Sequence, residues 1–260
     1  MSNFFKNFPK AGYITDSDVN IIYDIYKHAR SNIHFSQDRY GYKFYDILDG
    51  ERPDQVSYIL YGDTQYYWTF FMVNDHLLEG MHGWPMSSVV LNDYIIAKYP
   101  AHVLTGYDET NSGLTQDHFI WNKGFEVGEE IVGAQTGAIG TILKIDLIMN
   151  RFVLTGMTGS FNDIENIVGQ TTGSILTQYP GIQNFSLEKE YNGAHHYGKD
   201  GEEFTRLNFT TGETATGTHI LETTNREYES TLNDDKMKLR YIKPTYIEDY
   251  AQQFKDLMDR

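Results

Sequence analysis

The chain has 260 residues, with 21 Lys and Arg against 36 Asp and Glu, a formal net charge of −15 and no cysteine. The missing thiols exclude a disulfide framework, a Cys-ligated zinc site and a cysteine nucleophile. The acidic balance argues against non-specific binding to nucleic acid or an anionic membrane, which both need a basic footprint.

Aromatic residues make up 15 % of the chain, including 20 Tyr and 15 Phe, which argues against wholesale disorder. The length allows one large domain or two to three small ones. No run approaches the ~20 apolar residues of a membrane span. The first residues hold Phe4, Phe5 and Phe8 but no sustained apolar run of the secretory kind. The composition reads as a soluble, acidic, Tyr-rich protein.

Residues 1–36 read as an extended N-terminal arm, punctuated by Pro9, Gly12 and Tyr13. Within it, Asp16, Ser17 and Asp18 are placed to cap a short helix over Ile21, Ile22, Ile25 and Tyr26. Tyr40 to Leu48 alternates with aromatic and β-branched residues and predicts a strand, closed by the turn pair Asp49-Gly50. Pro53 suits the first turn of a helix. Val56, Ile59 and Leu60 give that helix a buried stripe, and Gly62 stands where a left-handed cap is wanted. Asp63 or Thr64 caps a second helix, with Tyr67, Trp68, Phe71 and Met72 on its apolar face and Asn74-Asp75 at its end. Gly83-Trp84-Pro85 breaks the chain again. Ser87 and Ser88 then cap a helix with Val90, Leu91, Tyr94 and Ile95 on one face, stopped by Pro100.

The middle of the chain repeats. Phe125 to Ile139 returns as Phe161 to Ile175, offset by 36, with Phe, Glu, Ile, Val, Gly, Thr, Gly and Ile at matched positions. Alternating runs at Thr141–Leu147 and Arg151–Thr155, split by Met149-Asn150, predict a hairpin between the copies. Residues 124–180 therefore read as a small β module, a compact barrel or sandwich whose two halves close one core by pairing. Glycines 133, 137, 169 and 173 read as turn formers. Further on, Lys199-Asp200-Gly201 predicts a hairpin turn, Met237–Ile242 a strand, and Thr245–Glu248 a capping box. The terminal helix buries Ile247, Tyr250, Phe254, Leu257 and Met258.

Nothing in the residue pattern commits to catalysis. His76, Glu79 and His82 have a tempting metal spacing, but positions six apart diverge on a helix and the neighbouring glycines disfavour one. His195 and His196 are adjacent, so on a strand their rings face opposite sides. No Gly-x-Ser-x-Gly elbow and no Gly-rich loop with Lys is present. Glu129/Glu130 and Asp234/Asp235 are nominal acid–base pairs, read as solvated faces in so acidic a chain. The expectation is no enzyme, no cofactor and no metal.

The run from Gly50 to Asp75, followed by Gly83-Trp84, carries a first helix ending Leu-Tyr-Gly-Asp and a second carrying Tyr-Trp. It resembles the LysM-like segment of tail and baseplate proteins of contractile-tailed bacteriophages. More closely, it resembles the T-even-type baseplate wedge protein family numbered fifty-three. His195–Phe204, Asn225–Lys236 and Leu239–Pro244 with the terminal helix resemble the family's closing segments, so the likeness spans roughly 13–123 and 190–260. The repeat at 124–180 looks like an insertion.

The resemblance implies an α+β fold. Its parts are the 1–36 arm, a LysM-like strand–helix–helix domain at 37–123, an inserted all-β module at 124–180, and C-terminal strands with a terminal helix at 181–260. It implies a structural role: clamping wedge proteins together around the hub, in multiple copies within a symmetric virion tail baseplate, after synthesis in the host cytoplasm. Its expected partners are other wedge proteins and hub or sheath-proximal tail proteins, with no nucleic acid and no membrane. Exposed aromatics suit such contacts, and the candidate interface residues are Phe4, Phe5, Tyr13, Tyr66, Tyr67, Trp84 and Tyr246. A LysM-type cell-wall glycan-binding module is the alternative, with an unrecognised hydrolase behind it.

Overall fold

The structure, a computed structural model, describes residues 10–15, 18–23, 41–78, 80–106, 124–147, 149–162, 165–176, 185–199, 202–204 and 221–258. The architecture is mixed α+β and divides into two units: Met1–Leu91 with Thr231–Arg260, and Asn92–Ser230.

In the first unit, β1 (Lys10–Thr15) and β2 (Asp18–Tyr23) form an antiparallel hairpin with Thr15 opposite Asp18. The helix expected over Ile21 and Ile22 is therefore a strand; Ile25 and Tyr26 lie outside the described residues. Val19, Ile21 and Tyr23 recur every second position. Their β-branched and aromatic side chains fit a pleated strand better than the crowded flank of a helix.

Strand β3 (Tyr42–Asp46) pairs antiparallel with a late strand, Lys238–Ile242, placing Tyr42 opposite Ile242. The expected strand–helix–helix order follows. Helix α1 (Pro53–Tyr61) starts on its proline, and the Gln55 side chain accepts from the Arg52 amide at 2.9 Å. It stops at Gly62, whose φ of 72° frees its N–H to reach the Tyr58 carbonyl at 2.8 Å. Val56 is buried as expected, but Ile59 is exposed. Asp63 caps a short 3-10 turn, Thr64–Tyr66, by accepting from the Gln65 amide. Helix α2 (Trp68–Val73) then buries Trp68, Thr69, Phe70 and Val73, leaving Phe71 and Met72 half-buried. The inward side is thus broader than the face expected, because Phe70 packs with Val56, Leu77 and Trp84 while Trp68 packs on the terminal helix. That helix, α5 (Pro244–Met258), buries Ile247, Tyr250 and Phe254 as predicted, with Phe254 4.5 Å from Trp68 between ring centres; the side chains of Leu257 and Met258 lie outside the described residues. The Asn74 side chain exchanges both hydrogen bonds with the Arg240 backbone, at 2.8 Å each, and so ties the end of α2 to the late strand.

Helix α3 (Ser88–Lys98) is anchored by Ser88, whose amide and hydroxyl both donate to Asp49. Only Ile95 is buried, while Val90 and Tyr94 are exposed, so the expected buried face is not covered.

The second unit holds β4 (His102–Gly106), β5 (Glu130–Gly133), β6 (Ile139–Asp146), β7 (Arg151–Thr158), β8 (Ile167–Gly169), β9 (Ile175–Leu176) and β10 (Phe185–Lys189). They form one antiparallel sheet in the order β10-β4-β7-β6-β5-β8-β9. The predicted hairpin is β6–β7. The two repeat copies meet at β5 and β8, where Ile131 faces Gly169, Val132 faces Val168 and Gly133 faces Ile167. Each pair maps onto itself or its mirror under the offset of 36, so the copies are related by a local two-fold. They share one core, in which Phe125, Ile131, Phe161 and Ile167 meet Ile142, Phe152 and Leu154. Leu104 and Phe185 join that core from β4 and β10, so the sheet reaches beyond 124–180 on both sides.

A smaller sheet orders β12 (Glu202–Phe204), β11 (Ala194–Lys199) and β13 (Leu221–Thr224). Lys199 faces Glu202 across the predicted turn. Helix α4 (Asn225–Met237) and β14 (Lys238–Ile242) lead into α5.

Candidate interaction surface

The hairpin register divides the side chains of β1 and β2 between two faces, because residues directly opposite in an antiparallel pair share a side. Ala11, Tyr13, Asn20 and Ile22 lie on one face. Lys10, Ile14, Val19, Ile21 and Tyr23 lie on the other, with Gly12 leaving room for Val19. That second face is apolar and open, with Ile14 79 % and Ile21 73 % exposed and Val19 and Tyr23 also exposed. The Lys10 ammonium sits 5.8 Å from the Tyr23 ring centre at its edge. The sequence reading missed this face by counting the isoleucines at helical spacing. The period-two run Val19, Ile21, Tyr23 is the signal that finds it.

The sequence-predicted interface residues scatter. Phe4 and Phe5 lie outside the described residues. Tyr13 and Tyr246 are exposed on the hairpin and on α5. Tyr66 and Tyr67 are half-buried, Tyr66 edge-on to Tyr61 at 5.6 Å and Tyr67 edge-on to Phe71 at 6.4 Å. Trp84 is only 6 % exposed, and its indole N–H donates to the Glu51 carbonyl at 2.8 Å. It is a core residue, packed with Phe70 and Leu77.

Two further groupings of titratable residues depart from expectation. The His195 and His196 rings do not face opposite sides; their Nδ1 atoms lie 2.9 Å apart. A β-bulge between Ala194 and His196 breaks the alternation and turns both rings the same way. His195 also stacks on Tyr228 at 3.8 Å. Glu129 is not on a solvated face. It is buried, accepting from the Glu126 amide and from the amides of Thr171 and Thr172 and the Thr172 hydroxyl. Its repeat equivalent Glu165 does the same for Asn162, Gln135 and Thr136. Each copy's glutamate therefore holds the glycine turn of the other copy. Asp234 and Asp235 are exposed. Among the described residues no three His, Asp or Glu side chains gather in a metal-holding group, and no helix is long and apolar enough to cross a membrane.

Residues 3–117 match a protein-family model described as base plate wedge protein 53. The matched region holds the hairpin, β3, α1, α2, α3 and β4, and covers less than half of the chain. This N-terminal region is thus similar, at family level, to phage baseplate wedge proteins, and the likeness points to a structural role in a phage tail. No curated protein matches the chain.

Proposed function

We propose that this chain is a non-catalytic component of a contractile-tail baseplate wedge, fastening wedge proteins to one another around the hub through protein–protein contacts. One observation carries the reading: the family likeness spans residues 3–117, which contain both the open hairpin and the strand–helix–helix unit. The role needs no cofactor and places the protein in the virion tail, in several copies.

The LysM-like order of β3, α1 and α2 is all that a glycan-binding reading rests on, and the packing of its rings speaks for contact with protein instead. Trp68, on α2, is buried against Tyr250 and Phe254 and offers no open ring to a sugar. Co-expression with the other wedge proteins of the same phage should yield a stable complex by native mass measurement, at interfaces of more than about 1,000 Å². Failure to associate with any of them, or binding of chitin oligomers at millimolar concentration by calorimetry, overturns the reading.

A further inference from the structure

We propose that the apolar face of the β1–β2 hairpin, formed by Ile14, Val19, Ile21 and Tyr23, is the docking face for an apolar surface on a different wedge protein. The inference rests on the wedge reading and names the contact within it. A two-stranded hairpin standing alone is marginal in water. Antiparallel strands ordinarily lay an apolar face on a core, yet the described side chains of both hairpin faces are exposed. Ile14, Val19, Ile21 and Tyr23 make the more apolar of the two, since the opposite face carries the polar Asn20 between Tyr13 and Ile22.

Charge and area select the occupant. The charged residues of the described hairpin are Lys10 and Asp18, one at each end and on opposite faces, so the centre of the apolar face is uncharged. A complementary surface is apolar at its centre. A second copy of this chain is disfavoured because each copy carries a net charge of −15, and like-charged bodies repel. Two six-residue strands present a face of about 20 Å by about 10 Å, roughly 200 Å². Two such faces bury about 400 Å², far below the ~1,200 Å² of a self-sufficient interface. The hairpin is therefore one anchor among several contacts, the situation a multi-protein wedge provides and an isolated dimer does not.

The test uses the full chain co-expressed with the wedge proteins of its phage, comparing wild type, Ile14→Asp with Ile21→Asp, Ile14→Asp alone, and Asn20→Asp on the opposite face. The expected result is that wild type and Asn20→Asp co-purify with a partner. Ile14→Asp alone and the double variant should keep the wild-type thermal midpoint but bind roughly tenfold more weakly or worse, since a buried unpaired carboxylate opposes docking. Wild-type binding by the double variant overturns the hairpin contact and leaves the wedge reading standing. Wild type binding no partner overturns both. A fall in thermal midpoint shows that the face is covered by its own chain and overturns the contact, as does a concentration-dependent dimer that the double variant abolishes.

Discussion

Glu129 and Glu165 show how a buried carboxylate becomes tolerable. Burial alone pushes each carboxyl up. For Glu129 the opposing hydrogen bonds come from the Thr172 amide, the Glu126 amide, the Thr172 hydroxyl and the Thr171 amide. For Glu165 they come from the Thr136 hydroxyl and amide and the Asn162 and Gln135 amides. In both cases these bonds prevail and hold the carboxyl below its ordinary range. The carboxylates need room as well. A Cβ on Gly169 would stand 2.4 Å from Glu129 Oε1, and one on Gly133 2.6 Å from Glu165 Oε2. Those two glycines are required by close approach, whereas Gly137 and Gly173, with φ of 65° and 69°, are required by the turn itself. Glu129→Gln replaces an acceptor by an amide that cannot satisfy every donor, and should cost about 1–3 kcal/mol in urea unfolding. Asp234→Asn, at an exposed site, should stay within about 0.5 kcal/mol of wild type.

At the scale of elements, α5 and α4 are opposites. Helix α5 follows its apolar period, and its packing is concentrated where Phe254 meets Trp68. Phe254→Ala should lower stability by about 3–5 kcal/mol in thermal or denaturant unfolding of the isolated chain. An unchanged midpoint with lost assembly would move Phe254 from core to interface. Helix α4 buries a polar stripe instead, Asn225, Glu229 and Asn233, at a spacing of four. Asn225 donates to the Glu190 carbonyl at 2.7 Å, and Glu229 accepts from Lys98 at 2.7 Å and Tyr99 at 2.8 Å. Asn233 exchanges two bonds with the Met86 backbone. Burial, with the Glu229 hydrogen bond adding to it, pushes the Tyr99 hydroxyl up to about 12. No apolar periodicity marks such a helix, so only its closing strand and the residues around it were read from the sequence.

For the whole molecule, the two latched glutamates predict an acid response. Their folded pKa values lie below the ordinary value of 4.5. Their contribution is therefore fully present above the unfolded pKa and is lost as pH falls through the folded values. Thermal midpoints measured from pH 7 down to pH 3 should fall at the acid end. A chain carrying both Glu129→Gln and Glu165→Gln should start lower and lose less over the same range. Equal acid slopes in the two proteins would show that the latches do not titrate with folding.

The sequence by itself determined the strand–helix–helix order, the caps at Pro53 and Gly62, the β6–β7 hairpin, the core face of α5 and the existence of a duplicated unit. All of these depend on neighbours a few residues away, through backbone preference and apolar period. Only the tertiary structure decided that Glu129 serves the other copy's turn, that Trp84 is core, that a bulge brings His195 against His196, and that the Asp18–Tyr23 segment pairs as a strand whose side chains are all exposed. Each of these rests on partners distant in the chain or on the register of one strand against another, and local pattern carries no record of either.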